Sequence, residues 1–292
     1  MVRKSAANYG RGEVAFDDDV GDLLLGPEEL IEIIDAPTYQ PPVLPAIALE
    51  ILAMSRSPDL DLRKVLRLLE RDPLVAAKVL RAAQSPLYAS RTPVASLDDA
   101  LRRLGLEVLS RIVLEVALGM TVFRVHGYQD AVDAVRRHST ATAYITRAVA
   151  HACRLPTEVA FLCGLLHDVG VVACLLVFSR PRARARTPAF ELVWPVVEPL
   201  HQAVSGRLAK LWNLPADVQR VIGHHHVRPG PGLDPIAAAI RIAEALACEL
   251  GLGSELVPEP AELAALRAQI GFPDAALPDL EAYARTVIAQ IH

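Results

Sequence analysis

The segment Phe161–Leu176, FLCGLLHDVGVVACLL, places an ionisable pair, His167 and Asp168, inside an otherwise apolar run. Burying such a pair costs free energy unless a metal ion or hydrogen-bond partners compensate it. An aspartate that caps or hydrogen-bonds within a helical protein would account for one isolated pair. Further histidines lie on both sides of it, at His138, His201 and the run His224–His226. This distribution favours a metal site assembled from distant helices.

Imidazole nitrogens and carboxylate oxygens form the mixed ligand set that divalent Fe, Mn, Zn or Ni accepts. Neighbouring residues on a helix diverge by about 100°. His167 and Asp168 would therefore either ligate two metals or ligate one metal from a distorted turn near Gly170. The site has no Ser-His-Asp arrangement, no glycine-rich phosphate loop and no H-E-x-x-H helix, so none of these established signatures names a catalytic residue.

The elements that must position these residues are predicted to be helices. The chain is 52% hydrophobic and only 5% aromatic, and Leu and Ala recur at helical spacing while alternating strand patterns are sparse. Proline and glycine interrupt the pattern at short intervals. We expect an all-α protein with two packed helical lobes that meet near residue 126, just before Gly127.

Charge and hydropathy bear on partners and location. The net charge of −4 gives no overall electrostatic attraction to nucleic acid, so no direct nucleic-acid binding is expected. The N-terminus lacks the apolar core of a signal peptide. The membrane-like window Val159–Phe178 carries His167 and Asp168 near its centre, which favours a buried core helix over a membrane span. The four cysteines have no CxxC spacing, and a cytoplasmic protein without membrane contact is expected.

A second charged feature is the segment Ser179–Pro188, SRPRARARTP. A solvated loop explains such a run. The alternative is an anion clamp close to the His-Asp pair, because the arginine guanidinium binds phosphate or carboxylate through a planar fork. The candidate anion-binding residues are Arg180, Arg182, Arg184 and Arg186.

Several motifs resemble a known family. GLLHDVG (Gly164–Gly170), preceded by His138 and followed by a distal double histidine, resembles the HD superfamily of metal-dependent phosphohydrolases. The segments LPAIALEIL (Leu44–Leu52) and RDPLVAAKVLRAAQSPLY (Arg71–Tyr88), together with HQAVSGRLAKLWNLP (His201–Pro215) and VIGHHH, resemble the HDOD domain, a bacterial signalling output module. The resemblance covers about residues 40–250.

This resemblance implies a domain plan and a ligand set. The plan is a flexible leader at 1–36, an HDOD domain at 37–254 and a helical extension at 255–292. Within the domain, an N-terminal lobe spans 37–126 and an HD-like lobe, with HD-GYP-like features, spans 127–254. Counted from Trp212, the double histidine aligns with His225 and His226 and leaves His224 as an extra residue. The implied metal ligands are His138, His167, Asp168, His201, His225, His226 and Glu244.

The chain also departs from the family pattern. Gln84 stands where Asn is common, Ser205 where Gly is common, and Glu244 where HD enzymes usually have Asp. Val171 occupies the position at which HD-GYP phosphodiesterases carry Lys, and their Gly-Tyr-Pro segment is absent from Val227–Pro235.

Two functions remain open. The first is a bacterial signal-transduction module of HDOD type that acts by contacts with a signalling protein, without catalysis. The alternative is a metal-dependent phosphohydrolase that cleaves a nucleotide or cyclic dinucleotide, in which the metal would activate water and polarise a phosphoryl oxygen. A module that binds a nucleotide without turnover through the arginine loop is a third reading.

Overall fold

A computed structural model describes residues 25–44, 47–48, 50, 64, 66–67, 69, 73–85, 96–180, 187–253 and 257–291. All regular elements in these ranges are helices, which confirms the all-α prediction. The chain divides into a larger unit, Met1–Pro41 with Val125–Ile288, and a smaller unit, Pro42–Arg124 with Ala289–His292.

The helices with continuous bounds are, in chain order, α1 (Pro27–Asp35), α2 (Pro73–Ala83), α3 (Leu97–Thr121), α4 (Gln129–Ala152), α5 (Thr157–Leu166), α6 (Val169–Phe178), α7 (Phe190–Val197), α8 (His201–Leu211), α9 (Ala216–Gly223), α10 (Pro235–Glu249), α11 (Pro260–Gln269) and α12 (Leu277–Ile288). A 3-10 helix, Asp274–Ala276, precedes α12.

In the smaller unit, α2 packs against α3 around an aliphatic core that includes Leu109 and Ile112. The sequence predicts two helices here, with Ser96 as the first cap and Gly105 as the stop. The Ser96 hydroxyl does accept a hydrogen bond from the Asp99 amide at 3.0 Å. Gly105 leaves helical geometry with φ 75° and ψ 168°, which glycine can adopt, so α3 consists of two helical segments that meet at a kink there, as predicted.

In the larger unit, α4 packs along α5, α10 and α12, while α8 packs against α6 and α9. The span Thr157–Phe178, which contains α5 and α6, is long and apolar enough to cross a membrane, yet 94% of its most apolar window is buried inside the protein. Its hydrophobicity therefore reflects contact with helices on all sides. This arrangement places the His167-Asp168 pair at the centre of the unit.

The predicted leader 1–36 is described only from Leu25 onward; residues 1–24 lie outside the described ranges. Helix α1 packs against α6 and buries Leu30 and Ile34. Its last residue, Asp35, accepts hydrogen bonds from the Arg207 guanidinium at 2.9 and 3.4 Å. Residues 27–35 are thus part of the packed unit, whereas the leader boundary itself stays a prediction.

Candidate metal centre

His167 and Asp168 lie in a turn between two helices. Helix α5 ends at Leu166 and α6 begins at Val169, and Asp168 leaves helical geometry with φ −98° and ψ 11°. On an uninterrupted helix the two side chains would diverge by about 100°. The turn instead brings both into one cluster, with the His167 Nε2 atom 3.3 Å from Asp168 Oδ2. Of the two arrangements that the sequence left open for this pair, the structure has the distorted turn.

Four histidines among the described residues are buried, and all are oriented in the same way. Each ring places Nδ1 beside a backbone carbonyl, which can only accept a hydrogen bond. The contacts are His138 to Leu252 at 3.1 Å, His167 to Gly164 at 2.8 Å, His201 to Glu198 at 2.5 Å and His225 to Ile222 at 2.8 Å. Nδ1 therefore carries the proton in each ring, and the four Nε2 atoms are left to face one another.

The Asp168 carboxylate lies between two pairs of these nitrogens. Its Oδ2 atom is 3.3 Å from His167 Nε2 and 3.7 Å from His138 Nε2. Its Oδ1 atom is 3.4 Å from His201 Nε2 and 3.5 Å from His225 Nε2. Within each histidine pair the two Nε2 atoms are 3.3 Å apart. Two neutral imidazoles in this tautomer direct lone pairs at each other, an arrangement that a proton or a metal cation between them would stabilise.

Glu244 on α10 contributes the second carboxylate. Its Oε1 atom is 3.4 Å from His167 Nε2 and 3.5 Å from His226 Nε2. Its Oε2 atom accepts a hydrogen bond from Arg241 Nη1 at 2.9 Å. The longer glutamate side chain, a departure from the usual aspartate, therefore still reaches the cluster.

Burial keeps most of the histidines neutral. Desolvation lowers the pKa of His138 and His201 below the ordinary value, and it lowers the pKa of His225 to about 4. Neutral imidazole is the form that binds metal. At neutral pH these three rings already have the required protonation state.

His167 differs because two carboxylates face it. Burial acts to lower the pKa of His167, but the nearby Asp168 and Glu244 outweigh burial and raise it to about 10. Burial likewise acts to raise the pKa of both carboxyl groups, yet contacts with His167 hold the pKa of each well below its ordinary range. In the metal-free protein, one proton on His167 thus balances part of the negative charge.

A hydrogen-bonded connection fixes the turn that carries the pair. The Ser205 hydroxyl on α8 accepts from the Gly170 amide at 2.8 Å and donates to the His167 carbonyl at 2.6 Å. A Cβ atom on Gly170 would lie 2.1 Å from the His201 carbonyl oxygen, so only glycine allows α6 and α8 to approach this closely. The sequence marked Ser205 only as a departure, and the structure gives it this positioning contact.

The His224–His226 run follows the end of α9. The sequence predicts a helix over Ala216–His226, but α9 ends at Gly223, so the three histidines lie beyond the helix. His225 and His226 contact each other with ring centroids 4.4 Å apart, and both face Glu244. His224 is exposed, as expected for the extra histidine of the run.

The structure therefore brings together every sequence-predicted metal ligand: His138, His167, Asp168, His201, His225, His226 and Glu244. Sequence reasoning missed Arg241, although its spacing of three residues from Glu244 in the apolar helix α10 was a usable signal. It also missed the contact between His138 and the Leu252 carbonyl, because every residue has a backbone carbonyl and the residue type gives no signal.

The predicted anion-binding arginines are not part of this cluster as far as they are described. Arg180 donates to the Gln40 carbonyl at 3.3 Å, and its guanidinium carbon lies 5.5 Å from the centroid of the Tyr39 ring. Tyr39 in turn donates to the Ala173 carbonyl on α6 at 3.3 Å. Arg182, Arg184 and Arg186 lie outside the described residues, so the anion clamp stays a prediction.

Comparison with solved structures shows a shared fold. An HDOD domain protein of unknown function from Geobacter sulfurreducens matches with a TM-score of 0.70 at 24% identity, over 91% of this chain and 97% of that chain. A candidate metal-dependent phosphohydrolase from Shewanella amazonensis matches with a TM-score of 0.69 at 20% identity, over 91% and 98%. A candidate signal transduction protein from Marinobacter aquaeolei gives 0.62 at 19% identity, over 91% and 64%.

No curated protein matches the sequence. Residues 42–228 match the family model of the HDOD domain, which spans both units and includes the cluster from His138 to His226. Since this match covers more than half of the 292 residues, the chain belongs to the HDOD domain family.

Proposed function

We propose that this chain is a signal-transduction module of HDOD type whose histidine cluster holds divalent metal. One observation carries the metal assignment: four buried histidines donate Nδ1–H to backbone carbonyls and turn Nε2 towards a single carboxylate, Asp168. Metal-ligating histidines usually donate their other ring N–H to a carbonyl or carboxylate oxygen, which fixes the tautomer and the orientation of the ring. A cluster held only by hydrogen bonds would not need lone pairs directed at one another.

The donor set fits divalent metal. His138, His167, His201 and His225 would hold it together with the Asp168 carboxylate. Glu244 and the partly exposed His226 would complete the ligand set. Mixed imidazole and carboxylate donors suit Fe, Mn, Zn or Ni, and they do not distinguish among these metals.

The signalling assignment is supported by family membership and by the fold shared with the candidate signal transduction protein from Marinobacter aquaeolei. The module would act through contacts with a signalling protein. The candidate ligands lie on, or next to the ends of, α4, α5, α6, α8, α9 and α10, so a bound metal would hold these helices relative to one another. Metal occupancy would therefore control how rigid the larger unit is.

A metal-dependent phosphohydrolase is the second candidate, and a pocket favours it. His138 and Asp168 line an opening to solvent, so a substrate could reach the cluster. A divalent cation bound there would supply Lewis-acid activation of water and of a phosphoryl oxygen. The apolar Val171 also lines this pocket, so the position contributes no positive charge to bind phosphate. A nucleotide or cyclic dinucleotide remains the candidate substrate.

Metal analysis tests the first proposal. Protein purified without added metal should contain Fe, Mn, Zn or Ni, and treatment with a chelator should lower its Tm. Returning the metal should restore the Tm, because ligands that are dispersed in the unfolded chain bind only the folded state. Asp168→Asn should abolish the response, whereas Asp217→Asn, which changes an exposed aspartate at the start of α9, should retain it.

A phosphodiesterase assay separates the two candidates. The signalling module predicts no turnover of bis-p-nitrophenyl phosphate or cyclic di-GMP by the metal-loaded chain. Turnover that disappears in His167→Ala would instead establish the hydrolase. Purified protein that contains no metal, with a Tm that does not change when metal is removed or added, would exclude the metal centre from both candidate functions.

A further inference from the structure

The loop between α9 and α10, residues 224–234, carries two candidate ligands whose rings are held in different ways. His225 donates Nδ1–H to a carbonyl of α9 at 2.8 Å, as the other buried histidines do to their carbonyls. Within the described part of the chain, the ring of His226 has no such carbonyl contact, and its side chain is 15% exposed. Its Nε2 atom still faces Glu244 Oε1 at 3.5 Å. The position of His226 therefore depends on the neighbouring histidine rings and on the backbone of the loop.

Two glutamines hold that backbone. The side-chain oxygen of Gln202, on α8, accepts a hydrogen bond from the His226 amide at 2.9 Å. The side chain of Gln269 accepts from the Gly230 amide at 3.0 Å and donates to the Gly230 carbonyl at 2.6 Å. Because Gln269 engages both backbone groups of one residue, it fixes the orientation of this part of the loop as well as its position. The loop is thus anchored at two points that are four residues apart.

Helix α11 connects the two partners of the His226–Glu244 contact. It packs against α10, the helix that carries Glu244, and its Leu266 side chain is fully buried. Its last residue, Gln269, reaches the loop that carries His226. This helix lies beyond residues 42–228, the range that matches the family model, so membership of the family does not assign it a role.

We propose that Gln269 is a positioning residue for the metal centre. It holds the loop in the conformation in which His226 faces Glu244, and it thereby keeps His226 available as a ligand. Without the contact to Gly230, the backbone near His226 is held only through Gln202. The remaining candidate ligands stay in place, so metal binding weakens but does not disappear. The effect on affinity rests on the proposed metal centre, whereas the position of the loop does not require metal.

The Zn²⁺ affinity of the full-length chain, measured by competition with a chelating dye, tests the effect on binding. Removing a partner that orients a metal ligand typically weakens metal binding by 10- to 100-fold, and Gln269→Ala should weaken it by about tenfold. Gln129→Ala makes the same change at an exposed glutamine at the start of α4 and should leave the affinity unchanged. An unchanged affinity in Gln269→Ala would overturn the proposal.

A double-mutant cycle tests whether Gln269 acts through His226. In a chain that already carries His226→Ala, the further change Gln269→Ala should not weaken Zn²⁺ binding, because the ring that it positions is absent. A general structural role predicts the same tenfold loss in both backgrounds, and that result would overturn the positioning role.

Amide hydrogen exchange in the metal-free chain gives a readout that does not depend on metal. The Gly230 amide loses its acceptor in Gln269→Ala in any case, so the His226 amide, which donates to Gln202, is the informative probe. Its exchange should become at least about tenfold faster in Gln269→Ala, while exchange within α4 stays the same. Unchanged exchange at His226 would show that the loop keeps its position without Gln269 and would overturn the proposal.

The two measurements separate this proposal from the metal centre. If the unmodified chain binds Zn²⁺ and Gln269→Ala binds it equally well, the role of Gln269 alone is overturned. If the unmodified chain binds no Zn²⁺ but His226 exchanges faster in Gln269→Ala, the positioning of the loop is supported and the metal centre alone is overturned.

Discussion

In the smaller unit the buried core around Leu109 and Ile112 consists of aliphatic side chains, whereas the larger unit buries four histidines and two carboxylates at its centre. Each fully buried aliphatic side chain contributes about 1.5–3 kcal/mol to folding. A buried ionisable group instead costs free energy until a partner compensates it. The described core of the smaller unit is thus stabilised mainly by aliphatic packing, while the larger unit also buries a set of charged and polar contacts at its centre.

The largest effect is expected from a cavity in the aliphatic core. Leu109 is fully buried, so Leu109→Ala should lower the free energy of unfolding by about 2–5 kcal/mol. The apparent metal affinity of the folded chain should not change, because the ligands all lie in the larger unit. Urea unfolding and metal titration measure the two quantities. The control Val43→Ala changes a side chain that is 73% exposed and should cost at most about 0.5 kcal/mol. A weakened metal affinity in Leu109→Ala would contradict the independence of the two cores.

An opposite kind of change, overpacking, should affect the metal cluster directly. In Gly170→Ala the added Cβ would lie 2.1 Å from the His201 carbonyl oxygen and 2.6 Å from the Ser205 amide nitrogen. Because both are backbone atoms, α6 and α8 must separate, at a cost of about 3 kcal/mol. Metal binding should weaken at the same time. Gly230→Ala is the matched control, since nothing lies within 4 Å of its added Cβ. Normal metal binding by Gly170→Ala would contradict the prediction and show that the turn tolerates movement.

The sequence predicted the helices of both units better than it predicted how they end. Apolar spacing and caps such as Ser96 located the helices because these signals are local. The sequence left the break at His167 and Asp168 open as one of two alternatives, since the surrounding segment is apolar on every face and gives no periodicity that a turn could interrupt. The true end of α9 at Gly223 was missed because the histidines that follow have no strong preference against helix.

For the metal cluster, the sequence supplied the residue types, and the family resemblance supplied their grouping. Spacing alone could not bring His138 on α4 next to His167, 29 residues away. The contact of His138 with the Leu252 carbonyl spans 114 residues and involves a backbone atom that every residue possesses. Such contacts depend on helix packing, so they become visible only in the folded chain.

Metal should stabilise the two units unequally. At a free metal concentration about 100 times the Kd, binding raises the free energy of any opening reaction that separates the ligands by about 2.7 kcal/mol. Amide hydrogen exchange in α5, α6 and α8 should therefore slow by about a hundredfold on addition of Zn²⁺. Exchange in α2 and α3 should be unchanged if the smaller unit opens independently. Equal slowing throughout both units would instead show that they unfold together.

The smallest expected effect concerns the proton on His167. Because the pKa of His167 is raised to about 10 in the metal-free fold, this proton stabilises the folded state below the ordinary value of 6.5, and that contribution is lost as pH rises through about 10. Metal must displace the same proton, so the apparent Kd for Mn²⁺ should fall by about tenfold, or ~1.4 kcal/mol, for each unit of pH between 7 and 9.

The other buried histidines should add no slope in that range. The pKa values of His138, His201 and His225 are lowered, so these rings are already neutral above pH 7. Calorimetry in buffers of different ionisation enthalpy should therefore detect the release of about one proton on metal binding at pH 7.5. A pH-independent Kd would place the proton elsewhere and would show that the carboxylates do not hold His167 in its charged form. Release of several protons would show that burial fails to keep the remaining histidines neutral. Either result would show that the buried charge of the larger unit is not compensated mainly by the contacts of His167 with Asp168 and Glu244.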